Sequence, residues 1–330
     1  MKTIINESLD PRYNLALEEY TLKVLSEQDD FVLLWQNQNA VIIGRNQLTA
    51  AEINEQYVTE HQVKVVRRIT GGGSVYHDLG NLNFSFITSS GEGNLQNYQK
   101  FIAPVISALR KMGVPAEFAG RNDIVVEEKK ISGNAQTYFK NRMLHHGTIL
   151  FDVNLAMIAN VLKVKIDKLA NKGVSSNRAR VTNIKPYLPE GVTVNDLKGS
   201  LLHELLLPYT IHECIYELTD ADKTQINQLV KDKYESWDWN YGASPEGTLV
   251  KSGRYEGGGI EFHISLIDGR IADAHVYGDY LGSGESSTFN ALLKGHRFDR
   301  SSLHDVVNSI DCNFFFGKIT AENILDCLFS

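Results

Sequence analysis

The chain has 330 residues, 42% of them hydrophobic, more than one compact core usually organises, so a large domain with a smaller satellite is expected. A net charge of −7 removes the sequence-wide basic field that nonspecific nucleic-acid binding requires, and an acidic small-molecule ligand would need a local basic site. No run reaches the ~20 apolar residues that cross a bilayer, and the opening "MKTIINESLD" has no apolar signal core, so a cytoplasmic protein without a membrane partner is expected.

In chain order, "NLALEEYTLKVL" from Asn14 carries Leu15, Leu17, Leu22 and Leu25 at helical spacing behind Asp10 and Pro11, which predicts a first helix. "FVLLWQNQNAVIIGRNQ" gives two short apolar runs split by the polar Gln36 to Asn39, and Leu33, Trp35, Val41 and Ile43 fit half-buried strands. "VKVVRR" and "NLNFSFI" alternate as strands do, and Phe101 to Val114 returns to helical period. Residues 123 to 153 read as strands joined by charged turns at Glu127 to Lys130 and Lys140 to Arg142. From Asn154 to Val230 the pattern is mostly helical, interrupted at Pro186 and Pro189. Strands and helices mix without regular βαβ alternation, so the predicted class is α+β, a mixed sheet with flanking helices. A boundary is expected near "WDWNYGASPEG", giving a catalytic domain over residues 1–245 and a small α+β accessory domain over 250–330. The latter contains a hairpin turning at Asp268-Gly269 and two helices, one behind a serine cap with Leu303, Val306, Val307 and Ile310 on one face, the other behind Thr320.

The chemistry concentrates in "RRITGGGSVYHDLGN", residues 67–81. Three successive glycines can turn sharply and present backbone N–H groups to an anion. Arg67 and Arg68 add permanent cations whose forked geometry suits phosphate or carboxylate. The segment lacks the G-K-[ST] ending of a P-loop, and Tyr76 stands where a dinucleotide fingerprint ends in glycine. From residue types alone, a glycine-rich connection between solvated arginines remains open, as do a turn role for Lys130, an Asx turn at Asn122 and Asp123, and structural roles for His77 and His146.

The same stretch resembles the signature of the lipoate-protein ligase A family within the biotin and lipoate ligase superfamily. "NLALEE", "VIIGRNQ", "GRNDIVV", "KISGNA", "HHGTIL", "KGVSSNRARVTNI" and "WDWNYG" agree in order along about three quarters of the chain. The resemblance implies a biotin/lipoate ligase-like α+β catalytic domain that consumes lipoate and ATP with Mg2+, forms lipoyl-AMP and pyrophosphate, and passes the lipoyl group to a lysine of an apo lipoyl domain. The acceptors it implies are 2-oxoacid dehydrogenase E2 subunits and the glycine cleavage H protein. By motif it assigns ATP and adenylate binding to Arg68, Gly73, Ser74, Val75, Tyr76, Asn122 and Lys130. Lipoate binding falls to Lys130, Gly73, His77 and His146, catalysis to Lys130, and a magnesium contact to Asp123. It also suggests that the region around Trp35 walls the lipoate slot. Residues 172–183, with Lys172, Arg178 and Arg180, suit a basic loop closing over the adenylate, and Lys163, Lys165 and Lys168 suit an acidic partner surface. Ile69 and Ser74 depart from the residues that relatives often carry there.

Two other readings remain. An ATP-independent octanoyl or lipoyl transferase on the same fold needs a thiolate at the acyl site, yet Cys214, Cys312 and Cys327 all lie outside the glycine and "KISG" segments, with no C-x-x-C for a metal site. A noncatalytic module sensing lipoate or an adenylate would keep the glycines without needing Lys130.

Overall fold

A computed structural model of the chain describes residues 1–91, 93–94, 97–120, 122–163, 181–280 and 282–330. Strand β1 (Lys2–Thr3) precedes helix α1 (Pro11–Lys23), which starts where expected because Asp10 accepts the Arg12 N–H and Pro11 occupies the first turn. Strands β2 (Phe31–Trp35) and β3 (Ala40–Ile43) follow, then helices α2 (Thr49–Glu52) and α3 (Glu55–Glu60) and strands β4 (Lys64–Arg67), β5 (Val75–His77) and β6 (Asn81–Ser89). Helix α4 (Tyr98–Lys111) leads into β7 (Glu117–Ala119), β8 (Asp123–Val126), β9 (Lys129–Phe139) and β10 (Arg142–Leu150). Helices α5 (Leu155–Val161), α6 (Val194–Leu206), α7 (Ile211–Cys214) and α8 (Asp220–Leu229) come next. Strands β11 (Gly247–Tyr255), β12 (Gly258–Ile267) and β13 (Arg270–Gly278) and helices α9 (Ser286–Leu293), α10 (Arg300–Asn308), α11 (Cys312–Phe316) and α12 (Ala321–Phe329) complete the chain.

A seven-stranded sheet runs β1-β2-β6-β10-β9-β8-β7, antiparallel apart from the β1–β2 pair. A smaller sheet, β4-β3-β5, joins β3 to β4 in parallel and to β5 antiparallel. Although consecutive, β2 and β3 therefore fall in different sheets, and Gln36 to Asn39 carries the chain between them. One face of the large sheet packs Phe84, Phe86 and Met143 against α4 and α6 through Ile102, Val105, Leu197 and Leu201. On its other face Leu33, Trp35 and Leu144 meet Leu15 and Leu17 of α1 and Ile226 of α8. The α+β class is thus found, a mixed sheet with flanking helices. Among the described residues no helix is long and apolar enough to cross a membrane.

Two turns differ informatively from expectation. Glu127 (φ 49°) and Glu128 (φ 64°) alone make the two-residue hairpin that joins β8 to β9, so Lys129 and Lys130 belong to the strand. Lys140 (φ 52°) likewise turns while Arg142 is already in β10. The hairpin at Asp268-Gly269 forms as predicted, with φ 49° and 69° and Ile267 opposite Arg270. Around it, strands β11 to β13 bury Leu249, Phe262, Ile264 and Val276 against Phe289, Leu303, Val307 and Leu328. Here the sequence reading found α10 and α12 and missed α9 and α11, which are short. The cap of α10 is Asp299, accepting the Ser302 N–H, instead of a serine.

Candidate active site

One cavity of about 680 Å³ lies where the small sheet meets β8, β9 and β10. Its wall gathers Arg68, Gly73, Ser74, Val75, Tyr76, His77, Asn122, Asp123, Lys130 and His146, the whole set picked out by motif from segments far apart in sequence. Leu15, Trp35 and Ile42 give it an apolar side.

The glycine loop joins β4 to β5. Only Gly72 has a left-handed backbone, at φ 97°. A Cβ on Gly71 or Gly73 would meet nothing within 4 Å, so the fold itself does not demand glycine there, and the bare backbone is open to close approach from outside. Arg68 is buried beneath the loop and donates from Nη2 to the carbonyls of Gly71 (2.7 Å) and Gly73 (2.8 Å), from Nε to Thr70 Oγ1 (2.9 Å) and from Nη1 to Ile42 O (3.2 Å). Its guanidinium is therefore committed to the loop's own backbone, a departure from a side chain spread directly on a ligand. Because C=O and N–H point oppositely across a trans peptide, drawing in the Gly71 and Gly73 carbonyls turns the N–H groups of Gly72 and Ser74 away from Arg68. Burial lowers the Arg68 pKa to about 10, with Glu18 opposing that shift, so it stays charged.

Arg67 is not in the cavity at all. Fully buried, it donates to the carbonyls of Gly44, Arg45, Gln47, Trp239 and Asn240 and to the hydroxyls of Thr49 and Ser244. The expectation that Arg67 offers its cation to ligand oxygens beside the loop is corrected, and so is the alternative of a solvated arginine: Arg67 fastens residues 44–49 to the "WDWNYG" segment. Gly44 in turn must be glycine because a Cβ there would strike the Gly72 carbonyl.

The two adjacent histidines divide by strand alternation. His146 faces the cavity, with Nδ1 2.9 Å from Glu18 Oε1 and Nε2 2.8 Å from Thr70 Oγ1. His145 faces the core among Phe84, Phe86 and Phe101, held by Asn134 and Gln136. His77 meets Asn37 through Nδ1 at 3.1 Å, while its Nε2 is buried with no hydrogen-bond partner among the described residues. Burial, then the Arg68 charge and coupling to His146, lowers the His77 pKa to about 3; burial, then coupling to His146, lowers that of His145 to about 3. Unfolding returns each ring to its ordinary value of 6.5, so the unfolded chain gains protons first. The stability these rings contribute is present above pH 6.5 and is lost as pH falls towards 3, at about 1.4 kcal/mol per pH unit per ring. Urea midpoints are expected to drop steeply between pH 7 and 5, and a flat profile would contradict burial of two neutral imidazoles.

Lys130 begins the inner part of β9 and sits beside a bulge: Ile124 pairs with Ser132 but Val125 with Lys130, leaving Ile131 extra. Such a bulge re-aims side chains, a device frequent next to active sites. The ammonium lies 2.7 Å from Asp123 Oδ1, and Gly133 leaves room for it, since a Cβ there would come 2.9 Å from Nζ. Val181 pairs with the Lys130 backbone, and Thr182 N donates to Lys130 O, so the far root of the predicted basic loop is stitched to this lysine. Most of that loop, with Lys172, Arg178 and Arg180, lies outside the described residues, as do Lys165 and Lys168 of the expected partner surface. Lys163 is turned to the Ser330 carbonyl (2.7 Å) instead of presenting a free charge. Asn122 is bound reciprocally to Asn134, Nδ2 of each donating to the other's carbonyl.

Comparison with known proteins agrees with this geometry. Residues 10–206 match the lipoyl protein ligase A/B catalytic domain, and residues 244–328 match the bacterial lipoate protein ligase C-terminus. The chain belongs to the lipoyl protein ligase A/B family. It is 44% identical to lipoate-protein ligase LplJ of Bacillus subtilis (strain 168), with all of both chains covered. It also resembles the bi-partite lipoate protein ligase of Thermoplasma acidophilum, described with its E2 lipoyl domain (28% identity, TM-score 0.65, covering 75% of this chain and 98% of that one). A lipoate-protein ligase A bound with ATP is similar at 27% identity and TM-score 0.63, covering 73% of this chain and 98% of that one. Relatives at this level of identity are named lipoate-protein ligases, which makes the protein an enzyme of the ligase class.

Within this family the cysteine-dependent alternative finds no support here. Cys214 and Cys327 are buried, none of the three cysteines lines the cavity, and burial pushes the Cys312 thiol up and the Cys327 thiol to about 11. For the implied Mg2+, the described residues hold no group of three or more His, Cys, Asp or Glu side chains able to bind a metal. Magnesium commonly uses one or two carboxylates plus substrate phosphates. The donor set fits an ion that arrives with phosphate and touches Asp123, and it does not fit a resident metal. Sequence reasoning missed Glu18, Thr70 and Gly133 as site builders. Each lies inside a quoted motif, but only the fold shows what it touches.

Proposed function

We propose that the protein is an ATP-dependent lipoate-protein ligase. The observation that carries this reading is the single cavity that gathers an arginine-braced glycine loop, one ammonium group and an apolar wall. The names of the related ligases, the ATP-bound relative and the archaeal enzyme described with an E2 lipoyl domain support it.

In the first half-reaction a lipoate carboxylate oxygen attacks the α-phosphorus of ATP, the bond to the β-phosphate breaks, and pyrophosphate leaves. Backbone N–H groups from Gly73 to Tyr76 hold nucleotide and adenylate oxygens, and Arg68 supports them by fixing the Gly71 and Gly73 carbonyls. The Lys130 ammonium bridges carboxyl and phosphate oxygens, where negative charge grows in the transition state. Asn122 and Asp123 face the same phosphates. Asp123 would hold a Mg2+ ion arriving with those phosphates, and the ion would supply neutralisation of phosphate charge there. The lipoyl chain lies along Leu15, Trp35 and Ile42, with His77 and His146 beside it. In the second half-reaction the acceptor lysine nitrogen attacks the lipoyl carbonyl carbon, the bond to AMP breaks, and the amine loses a proton. The acceptors are apo lipoyl domains of E2 subunits and the glycine cleavage H protein. We assign the chemistry to residues 1–245 and an accessory role to residues 250–330.

The test combines the protein with lipoate, magnesium ATP and an apo lipoyl domain and looks for the mass gain of one lipoyl group. No gain, or gain only from an acyl thioester without ATP, would refute the reading. Gly133→Ala is expected to push the Lys130 ammonium aside and lower turnover about tenfold or more, because small misplacements of a catalytic group are costly. Turnover unchanged in this variant would show that the lysine does not act from its present position.

A further inference from the structure

A hydrogen-bonded chain links the apolar wall of the cavity to its glycine loop. Trp35 Nε1 donates to Ser85 Oγ (2.9 Å), and Ser85 donates to Glu18 Oε1 (2.6 Å). The same Glu18 oxygen lies 2.9 Å from His146 Nδ1, whose ring meets Thr70 Oγ1 through Nε2 at 2.8 Å. Arg68 Nε donates to that hydroxyl, and Arg68 Nη2 reaches the Gly71 and Gly73 carbonyls.

Indole and guanidinium groups only donate, which sets the direction of the chain at both ends. Thr70 receives from Arg68, and in the neutral tautomer protonated at Nδ1 it gives its proton to His146 Nε2, while His146 Nδ1–H and the Ser85 hydroxyl both give to Glu18. Two runs of donors thus converge on one carboxylate. Glu18 is 1% exposed, is not among the described residues lining the cavity, and leaves Oε2 buried without a partner among the described residues. Burying a carboxylate so incompletely satisfied is costly and calls for a reason beyond packing.

We propose that Glu18 is a positioning residue that sets the phosphate loop from behind the apolar wall of the cavity, acting through His146, Thr70 and Arg68. The inference rests on the ligase reading above: the carboxylate fixes the His146 tautomer, the ring holds the Thr70 hydroxyl, and the hydroxyl holds the arginine that shapes the glycine backbone. Removing Glu18 is therefore felt at the nucleotide, which it does not touch.

The experiment is calorimetric titration of the full chain with lipoate and, separately, with a nonhydrolysable ATP analogue. Binding of both by the wild type tests the ligase reading alone; the variants test the inference. Glu18→Leu and Thr70→Val are each expected to weaken the analogue about tenfold, the size of one buried group left unpaired. The double variant is expected to be no weaker than the worse single, because both act through one chain. Glu18→Gln keeps an acceptor oxygen for Ser85 and His146 and is expected to stay within about threefold of wild type. A merely structural role would lower analogue affinity only in step with thermal stability, without rescue by glutamine. Wild-type analogue binding in Glu18→Leu, or effects that multiply to about 100-fold in the double variant, would overturn the inference. Should Glu18→Leu lose its cooperative melt, Glu18→Ser, which is too short to reach His146, serves in the same comparison.

Discussion

Replacing Lys130 with alanine is expected to lower lipoate-dependent pyrophosphate release at least ~100-fold, the low end for losing a donor aimed at developing negative charge. The protein should remain folded. The side chain's ion pair with Asp123 is partly exposed, with side-chain exposures of 41% and 34%, and pairs of this kind contribute about 1 kcal/mol or less. The backbone pairing of Lys130 with Val125 and Val181 does not depend on the ammonium. Single-turnover release of pyrophosphate, measured beside a thermal melt, separates the two quantities. Turnover within a few-fold of wild type would remove Lys130 from the mechanism. Loss of turnover with an equal loss of stability would make it a structural residue.

Arg67→Met is expected to act in the opposite way, as a failure of stability by about 4 kcal/mol or more. The arginine serves backbone carbonyls of Gly44, Arg45, Gln47, Trp239 and Asn240; Gly44 and Asn240 also accept from Gln47 N–H and Thr49 Oγ1, but a thioether can donate to none of the other three. Each buried carbonyl left unpaired costs about 1–3 kcal/mol, less whatever water can reach. Lysine should rescue poorly, since its three donors cannot copy the planar fork. The effect spreads to the site, because residues 44–45 support the glycine loop through Gly44 packed on the Gly72 carbonyl and Arg45 N bonded to Thr70 O. Urea unfolding followed by tryptophan fluorescence suits the test, as Trp239 Nε1 donates to the Arg67 carbonyl at 2.7 Å. A midpoint shift smaller than about 1 kcal/mol would mean that these bonds are replaced by water.

The sequence made the positions of the site legible and left most of their geometry hidden. Hydrophobic periodicity located α1, α4, β6 and the hairpin at Asp268-Gly269, because each rests on local spacing and turn chemistry. Every residue that motif order assigned to the site, from Arg68 to His146, lines the cavity, whereas Gly133 on the same wall was not among them. Adjacent residues of one type were harder. Two neighbouring arginines have the same chemistry on paper, and only the pleat of β4 and the turn after it send Arg67 into the protein and Arg68 beneath the loop. The bulge at Ile131, which re-aims Lys130, follows from pairing with β8 and has no local signature. Glu18 read as one acid in an amphipathic helix, and its contact with His146 spans 128 positions of sequence.

The measurement that reaches the central claim most directly is lipoate-dependent exchange of labelled pyrophosphate into ATP, run without any acceptor protein. Reversible adenylate formation at Lys130 and the glycine loop should return label to ATP when lipoate is present and not when it is omitted. No exchange in the presence of lipoate, with an acceptor domain still acylated from a thioester in the absence of ATP, would contradict the account.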